Sequence, residues 1–163
     1  MGFPKPSAEP PKQGEMQYFP RMTTTIPLKS GEFRRVLHTG LYSQLVLMAV
    51  PVRGDIGEEA HPVDHSMTFT SGTGLVQMGE KEQEVRAGDM VVVPAGTKYQ
   101  LLNIGSTPLT LYTIYAPAEH EPTTVHQSKE DFLKAVEEGR NEPPAWSQRG
   151  KEENEKEGIV KTD

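Results

Sequence analysis

The chain has 163 residues, enough for one continuous hydrophobic core, and sets 17 Lys and Arg against 23 Asp and Glu, a formal net charge of -6. This balance argues against a phosphate-backbone partner, which requires a basic face. The lack of cysteine excludes disulfides, zinc–thiolate centres and thiol nucleophiles. No apolar run reaches membrane-spanning length, the opening MGFPKPSAEPPK lacks the apolar stretch of a signal peptide, and Pro6 breaks the myristoylation pattern after Met1-Gly2. A cytoplasmic protein with no nucleic-acid and no membrane partner is expected.

Residues 1–22 contain Pro4, Pro6, Pro10, Pro11 and Pro20 and read as a flexible, Pro-rich arm. From there to residue 127 the pattern is β. Phe33 to His38 is a short strand, and Leu41 to Val50 is a longer run that is apolar on both faces. Segments 66–70, 73–78, 83–87, 89–93, 99–103 and 109–115 are rich in Val, Leu, Thr and Tyr, with Gly, Pro, Asp and Ser turns between them. Short strands at this spacing, with no βαβ alternation, predict an all-β sandwich or barrel over 23–127. A helix follows over 128–140, with Ser128 as N-cap, Phe132, Leu133 and Val136 as its apolar stripe, and Gly139 as its stop. Residues 141–163 are dense in charge and read as a disordered tail, with Trp146 its one candidate anchor.

Two of the five histidines fall in one stretch, Glu58-Glu59-Ala60-His61-Pro62-Val63-Asp64-His65. Residues two and four apart on an extended chain share a face, so Glu59, His61 and His65 converge while Asp64 points away. Two imidazoles and a carboxylate form a set that binds Fe, Mn, Ni, Co or Zn and leaves positions open for water or substrate. His38, His120 and His126 lack clustered partners and read as structural or exposed.

The same stretch resembles the first sequence motif of the cupin superfamily, G-x5-H-x-H-x3/4-E-x6-G. Glu59-Ala60-His61 stands for H-x-H, His65 stands where the Glu belongs, and Gly72 follows six residues later; Gly54 is one residue too close for the opening glycine. The second motif, G-x5-P-x-G-x2-H-x3-N, is matched by Gly88, Pro94, Gly96 and Asn103, with Tyr99 in the histidine position. The chain is similar to small single-domain cupins of the mannose-6-phosphate isomerase-like kind over residues 32–127.

This resemblance implies an all-β double-stranded β-helix, or jelly-roll barrel, with the C-terminal helix added. It also implies a divalent metal, with Glu59, His61 and His65 as ligands and Tyr99 at the fourth ligand position. Glu59 and Tyr99 are the candidate catalytic residues, and a small-molecule substrate is expected. One reading is a metal-dependent isomerase, lyase or dioxygenase acting on a small polar or keto/enol molecule. A second is a metal-free acid/base enzyme of epimerase or cyclase type using a His and Tyr99. A third is a non-catalytic ligand-binding module. Cupin barrels usually pair, so a homodimer is expected, with Leu41 to Val50 as the interface element.

Overall fold

The computed structural model describes residues 3–24 and 32–163. The Met1-Gly2 pair and residues 25–31, which fall at the expected start of the barrel, lie outside the described residues. Among the described residues nine strands form: β1 Arg34–Thr39, β2 Gln44–Val50, β3 Asp64–Ser71, β4 Thr73–Met78, β5 Lys81–Arg86, β6 Met90–Val93, β7 Gln100–Asn103, β8 Leu109–Ala116 and β9 Val125–His126. Six make an antiparallel sheet in the order β6-β3-β8-β2-β1-β9, and three make a second in the order β5-β4-β7. The jelly-roll barrel expected from the sequence is the observed architecture. Among the described residues no helix is long and apolar enough to cross a membrane.

Alternation along the strands sorts side chains between the inside and the outside of the barrel. In the large sheet Gln44, Tyr115 and His65 share one inward rung, Val46, Thr113 and Met67 the next, and Met48, Leu111 and Phe69 the third. All nine are buried. The polar rung lies at one end and the apolar rungs run into the core, so the chemistry sits at the end of the barrel that holds Gln44, His65 and Tyr115. Gly72, at the β3–β4 junction, has φ +86°, and a Cβ there would stand 2.7 Å from the Pro108 carbonyl oxygen. Glycine is required at that corner by both conformation and space.

Helix α1, Lys129–Glu137, begins where the sequence places it, with the Ser128 hydroxyl accepting from Asp131 N at 3.2 Å. Its buried face differs from the expected stripe. Phe132 and Ala135 are buried, while Leu133 and Val136 are half exposed. The helix meets the barrel along a narrow line, so only residues spaced three apart are covered.

The expectation of a disordered tail is corrected. Residues 145–148 form a 3-10 turn, and Lys151–Lys156 form a second helix, α2. Ser147 and Asn154 are fully buried, and the Asn154 amide donates to the Tyr42 hydroxyl at 3.0 Å. Gln148 donates to the Ala118 carbonyl at 2.9 Å. Polar anchors, not apolar area, hold this segment, and charge density therefore misled the reading. The N-terminal arm, residues 3–24, carries neither strand nor helix. It is tied to the tail by Trp146 Nε1 donating to the Ala8 carbonyl at 3.2 Å and by Lys161 N donating to Gln13 at 3.0 Å.

Candidate functional site

Glu59 and Tyr99 lie outside the long strands and form an isolated antiparallel bridge, exchanging two backbone hydrogen bonds of 2.9 Å. The loop carrying His61 is pinned by Gly96 N, which donates to the His61 carbonyl at 2.7 Å. His65 stands on β3, its ring stacked on Tyr115 of β8 with centroids 4.3 Å apart. Asp64 is exposed and accepts from Ala95 N at 3.1 Å, pointing away from the site as its position in the alternation predicts. The structure thus brings Glu59, His61, His65 and Tyr99 together.

The side chains converge on one carboxylate oxygen. Glu59 Oε2 lies 3.1 Å from His61 Nε2 and accepts from the Tyr99 hydroxyl at 3.2 Å. That hydroxyl is also 3.1 Å from His65 Nδ1. On its other side His61 meets a second carboxylate, with Nδ1 2.8 Å from Glu119 Oε2. Burial by itself would lower the His61 pKa, but hydrogen bonds to Glu119 and Glu59 override it and raise the value to about 9. His65 goes the other way, to about 3, because burial and the positive charges of His61 and Arg34 disfavour its protonation. Burial, with Tyr115 and Glu59 nearby, pushes the Tyr99 phenol well above its ordinary value, so it remains a proton donor.

Glu119, Tyr115, His120 and Arg34 complete the surroundings, and sequence reasoning missed them. Gln44 positions the first of these. Its Oε1 accepts from the backbone N–H groups of Glu119 and His120 at 3.1 and 2.9 Å, and its Nε2 donates to the His120 carbonyl at 2.8 Å. No short spacing links Glu119 to His61, 58 residues away. The one available signal was the acid–imidazole pair Glu119-His120 directly after the last long strand. His120, read as structural or exposed, is 1 % exposed and packs edge-on against Tyr115 at 4.9 Å. Burial and the charge of Arg34 hold its pKa well below the ordinary value. His126 is buried as well. Asn103 serves the backbone, donating to the Val50 and Thr107 carbonyls and accepting from Gly105 N.

Among the described residues no group of three or more His, Asp or Glu side chains is placed to hold a metal ion, and both ring nitrogens of His61 face carboxylates. The donor chemistry nonetheless fits a divalent cation. Glu59 Oε2 and His61 Nε2, an oxygen and a nitrogen donor of the kind such a cation takes, lie side by side at 3.1 Å, joined here by a hydrogen bond. A carboxylate on the far nitrogen, as Glu119 supplies, is the usual outer partner of a metal-bound histidine. Glu59 Oε1 and His65 Nε2 are buried without a hydrogen-bond partner.

Comparison with known proteins agrees with this architecture. The family described as "Cupin domain" matches residues 46–115. An uncharacterized protein of Bacillus subtilis, YrkC, is 40 % identical over 114 residues, which is 66 % of this chain and 61 % of that protein. The chain therefore spans about three fifths of that relative. The crystal structure of BH2720 from Bacillus halodurans is similar with a TM-score of 0.68 at 36 % identity, over 76 % of this chain and 98 % of the other. An RmlC-like cupin family protein with a double-stranded β-helix fold, from Methanocaldococcus jannaschii, superposes with a TM-score of 0.52 at 16 % identity over 60 % of this chain and 89 % of its own. That last likeness concerns the fold alone.

Proposed function

The chain belongs to the cupin superfamily, and from that premise we propose that its barrel is a small-molecule site holding a divalent metal (Fe, Mn, Ni, Co or Zn) through Glu59, His61 and His65. In this reading the protein is a metal-dependent enzyme of isomerase, lyase or dioxygenase type acting on a small polar molecule with a keto or enol group. The observation that carries it is the arrangement of two carboxylates, Glu59 and Glu119, on one imidazole with side-chain exposures of only 10 to 18 %. Two buried negative charges at one imidazole demand a positive one, and at neutral pH the site meets that demand with a proton. A divalent cation can take the place of that proton.

A divalent ion held by Glu59, His61 and His65 would supply Lewis-acid polarisation of a substrate carbonyl or enediol oxygen. Glu119 holds the Nδ1–H of His61, fixing the ring so that Nε2 faces Glu59. Tyr99, its phenol held well above its ordinary pKa, keeps its proton and orients the site by donating to Glu59 Oε2 at 3.2 Å, with His65 Nδ1 3.1 Å from the same oxygen. His65, its pKa lowered to about 3, is neutral at pH 7 and so keeps a ring-nitrogen lone pair free for coordination.

A second reading needs no metal and is favoured by one observation, the Tyr99 hydroxyl set between Glu59 Oε2 and His65 Nδ1. Here Tyr99 and a histidine, His65 or His61, form the acid–base pair, with Glu59 orienting the imidazole. A homodimer and a cytoplasmic setting are also part of our reading, the latter on the absence of cysteine.

Calorimetric titration of chelator-stripped protein with Mn, Fe(II), Co, Ni and Zn tests the first reading. One ion per chain is expected for the wild type, with binding lost in Glu59→Ala and His61→Ala and kept in Tyr99→Phe. A stripped wild type that takes up none of the five ions rules the metal reading out.

A further inference from the structure

Arg34 opens β1 and is fully buried. Its Nε and Nη1 have no hydrogen-bond partner, its Nη2 lies 3.9 Å from the Met48 sulfur, and the neutral Tyr115 hydroxyl is close enough to feel the guanidinium. No carboxylate among the described residues pairs with it. The guanidinium lies over the Phe132 ring at 4.2 Å, with Phe33 at 5.3 Å, contacts that favour a cation but leave its N–H groups unsatisfied. An arginine cannot escape by losing its proton, so an unpaired buried guanidinium calls for an anion.

Register places that demand beside the candidate site. Arg34 pairs with Met48 on the third inward rung, Thr113 lies on the second, and Tyr115 and His65 lie on the first. Thr113 Oγ1, Tyr115 OH and His65 Nε2 are all buried without partners. A line of unsatisfied polar atoms therefore runs from the guanidinium to the Glu59 cluster. The positive charge of Arg34 is felt along the line, since it contributes to the lowered pKa values of His65, His120 and His126.

We propose that Arg34 is the anion-binding residue of the barrel and receives the carboxylate of a small monocarboxylic acid whose other end reaches Tyr115 and the Glu59–His65 cluster. Glu59 and Glu119 already place negative charge in the site, so the single charge of Arg34 balances a monoanion and not a phosphate dianion. This inference rests on the reading of the barrel as a small-molecule site and deepens it by naming the substrate class. It does not depend on a metal.

The experiment uses chelated full-length protein labelled with 15N-arginine, in a buffer free of carboxylates. Acetate, glycolate and pyruvate are titrated separately, with inorganic phosphate and chloride as comparators, while the Arg34 Nε–H resonance and the melting temperature are followed. At least one carboxylate is expected to move the resonance and raise the melting temperature saturably, and phosphate and chloride are expected to do neither. Arg34→Met, which removes an unpaired charge while keeping the side chain's length, is expected to fold and to bind the acid at least tenfold more weakly. An Arg34 resonance unmoved by all three acids overturns the proposal, as does equal binding by Arg34→Met. A response to phosphate as large as that to the acids overturns the assignment to carboxylates. Because no metal is present, failure here is distinct from failure of the metal titration.

Discussion

Glu59 and Tyr99 are joined twice, once by a pair of 2.9 Å backbone hydrogen bonds and once through the side chains, hydroxyl to carboxylate at 3.2 Å. The first connection belongs to the main chain and survives any side-chain change. The second is the chemistry. Because the backbone bridge fixes the two Cα positions, the carboxylate and phenol meet without either side chain having to search for the other.

Tyr99→Phe separates the two connections. The bridge and the ring packing remain, while Glu59 Oε2 loses one donor and His65 Nδ1 its only partner. A loss of about 1–3 kcal/mol in unfolding free energy is expected, the cost of leaving buried polar atoms unmet. Urea denaturation measures it. An unchanged midpoint would mean that the hydroxyl makes no net contribution to stability.

Stability should vary with pH in a way set by histidines shifted in opposite directions. His61 is raised to about 9 in the fold from 6.5, so its protonation stabilises fully below pH 6.5 and the benefit fades as pH climbs to 9. The most it can contribute is about 3 kcal/mol. His65, at about 3, and His126, at about 4, are lowered from 6.5, so their stabilisation is present above pH 6.5 and is lost as pH falls below it. A maximum near pH 6.5 is expected in melting temperature measured on metal-free protein. Glu119→Gln removes the charge of one of the two carboxylates that support His61 and should flatten the decline between pH 6.5 and 9. An equally steep decline in that variant would show that another group causes it.

The strands and the Glu59–His61–His65 stretch were legible because both are local patterns. Alternation over eight residues marks β8, and offsets of two and four put three site residues on one face. Tyr99 was found through its place in the second cupin motif, since nothing in the spacing of residues 59 and 99 links them. Glu119 stayed hidden because it reaches His61 only after the barrel closes, and Arg34 because a buried arginine without an acid contradicts the rule that charges lie outside. The tail failed for a different reason. Its composition resembles disorder, and a few polar anchors, the buried Asn154 among them, fasten it.

That asparagine gives a direct check. Asn154 is fully buried in α2, its amide on the Tyr42 hydroxyl at 3.0 Å and its backbone carbonyl accepting from Ile159 N at 2.9 Å. Asn154→Ala removes only the side-chain bond and should cost about 1–2 kcal/mol locally, read as faster amide hydrogen exchange over 145–160 with the barrel strands unchanged. Tyr42→Phe should reproduce most of the effect. Exchange already complete in the wild-type segment would show that the tail is not held.

Assembly can be predicted from the outer face of the large sheet. Met90, Val92 and Ile114 are 59, 58 and 40 % exposed, and register aligns Val92 with Ser66 and Ile114, and Ile114 with Leu45 on β2. Val92 and Ile114 are thus exposed apolar residues on one row, separated by Ser66 and continued by the partly buried Leu45, and exposed apolar groups brought together in this way favour a covering partner. The row also reaches the Leu41 to Val50 segment expected to form the interface. A twofold pairing through this face would cover it in both copies at once. Light scattering should give twice the 18.1 kDa chain mass for the wild type. The double variant Val92→Lys, Ile114→Lys should give the chain mass itself, with its melting temperature changed only by loss of the contact. A dimer that persists in that variant would place the interface elsewhere, and a wild type at 18.1 kDa would leave the row without a partner copy.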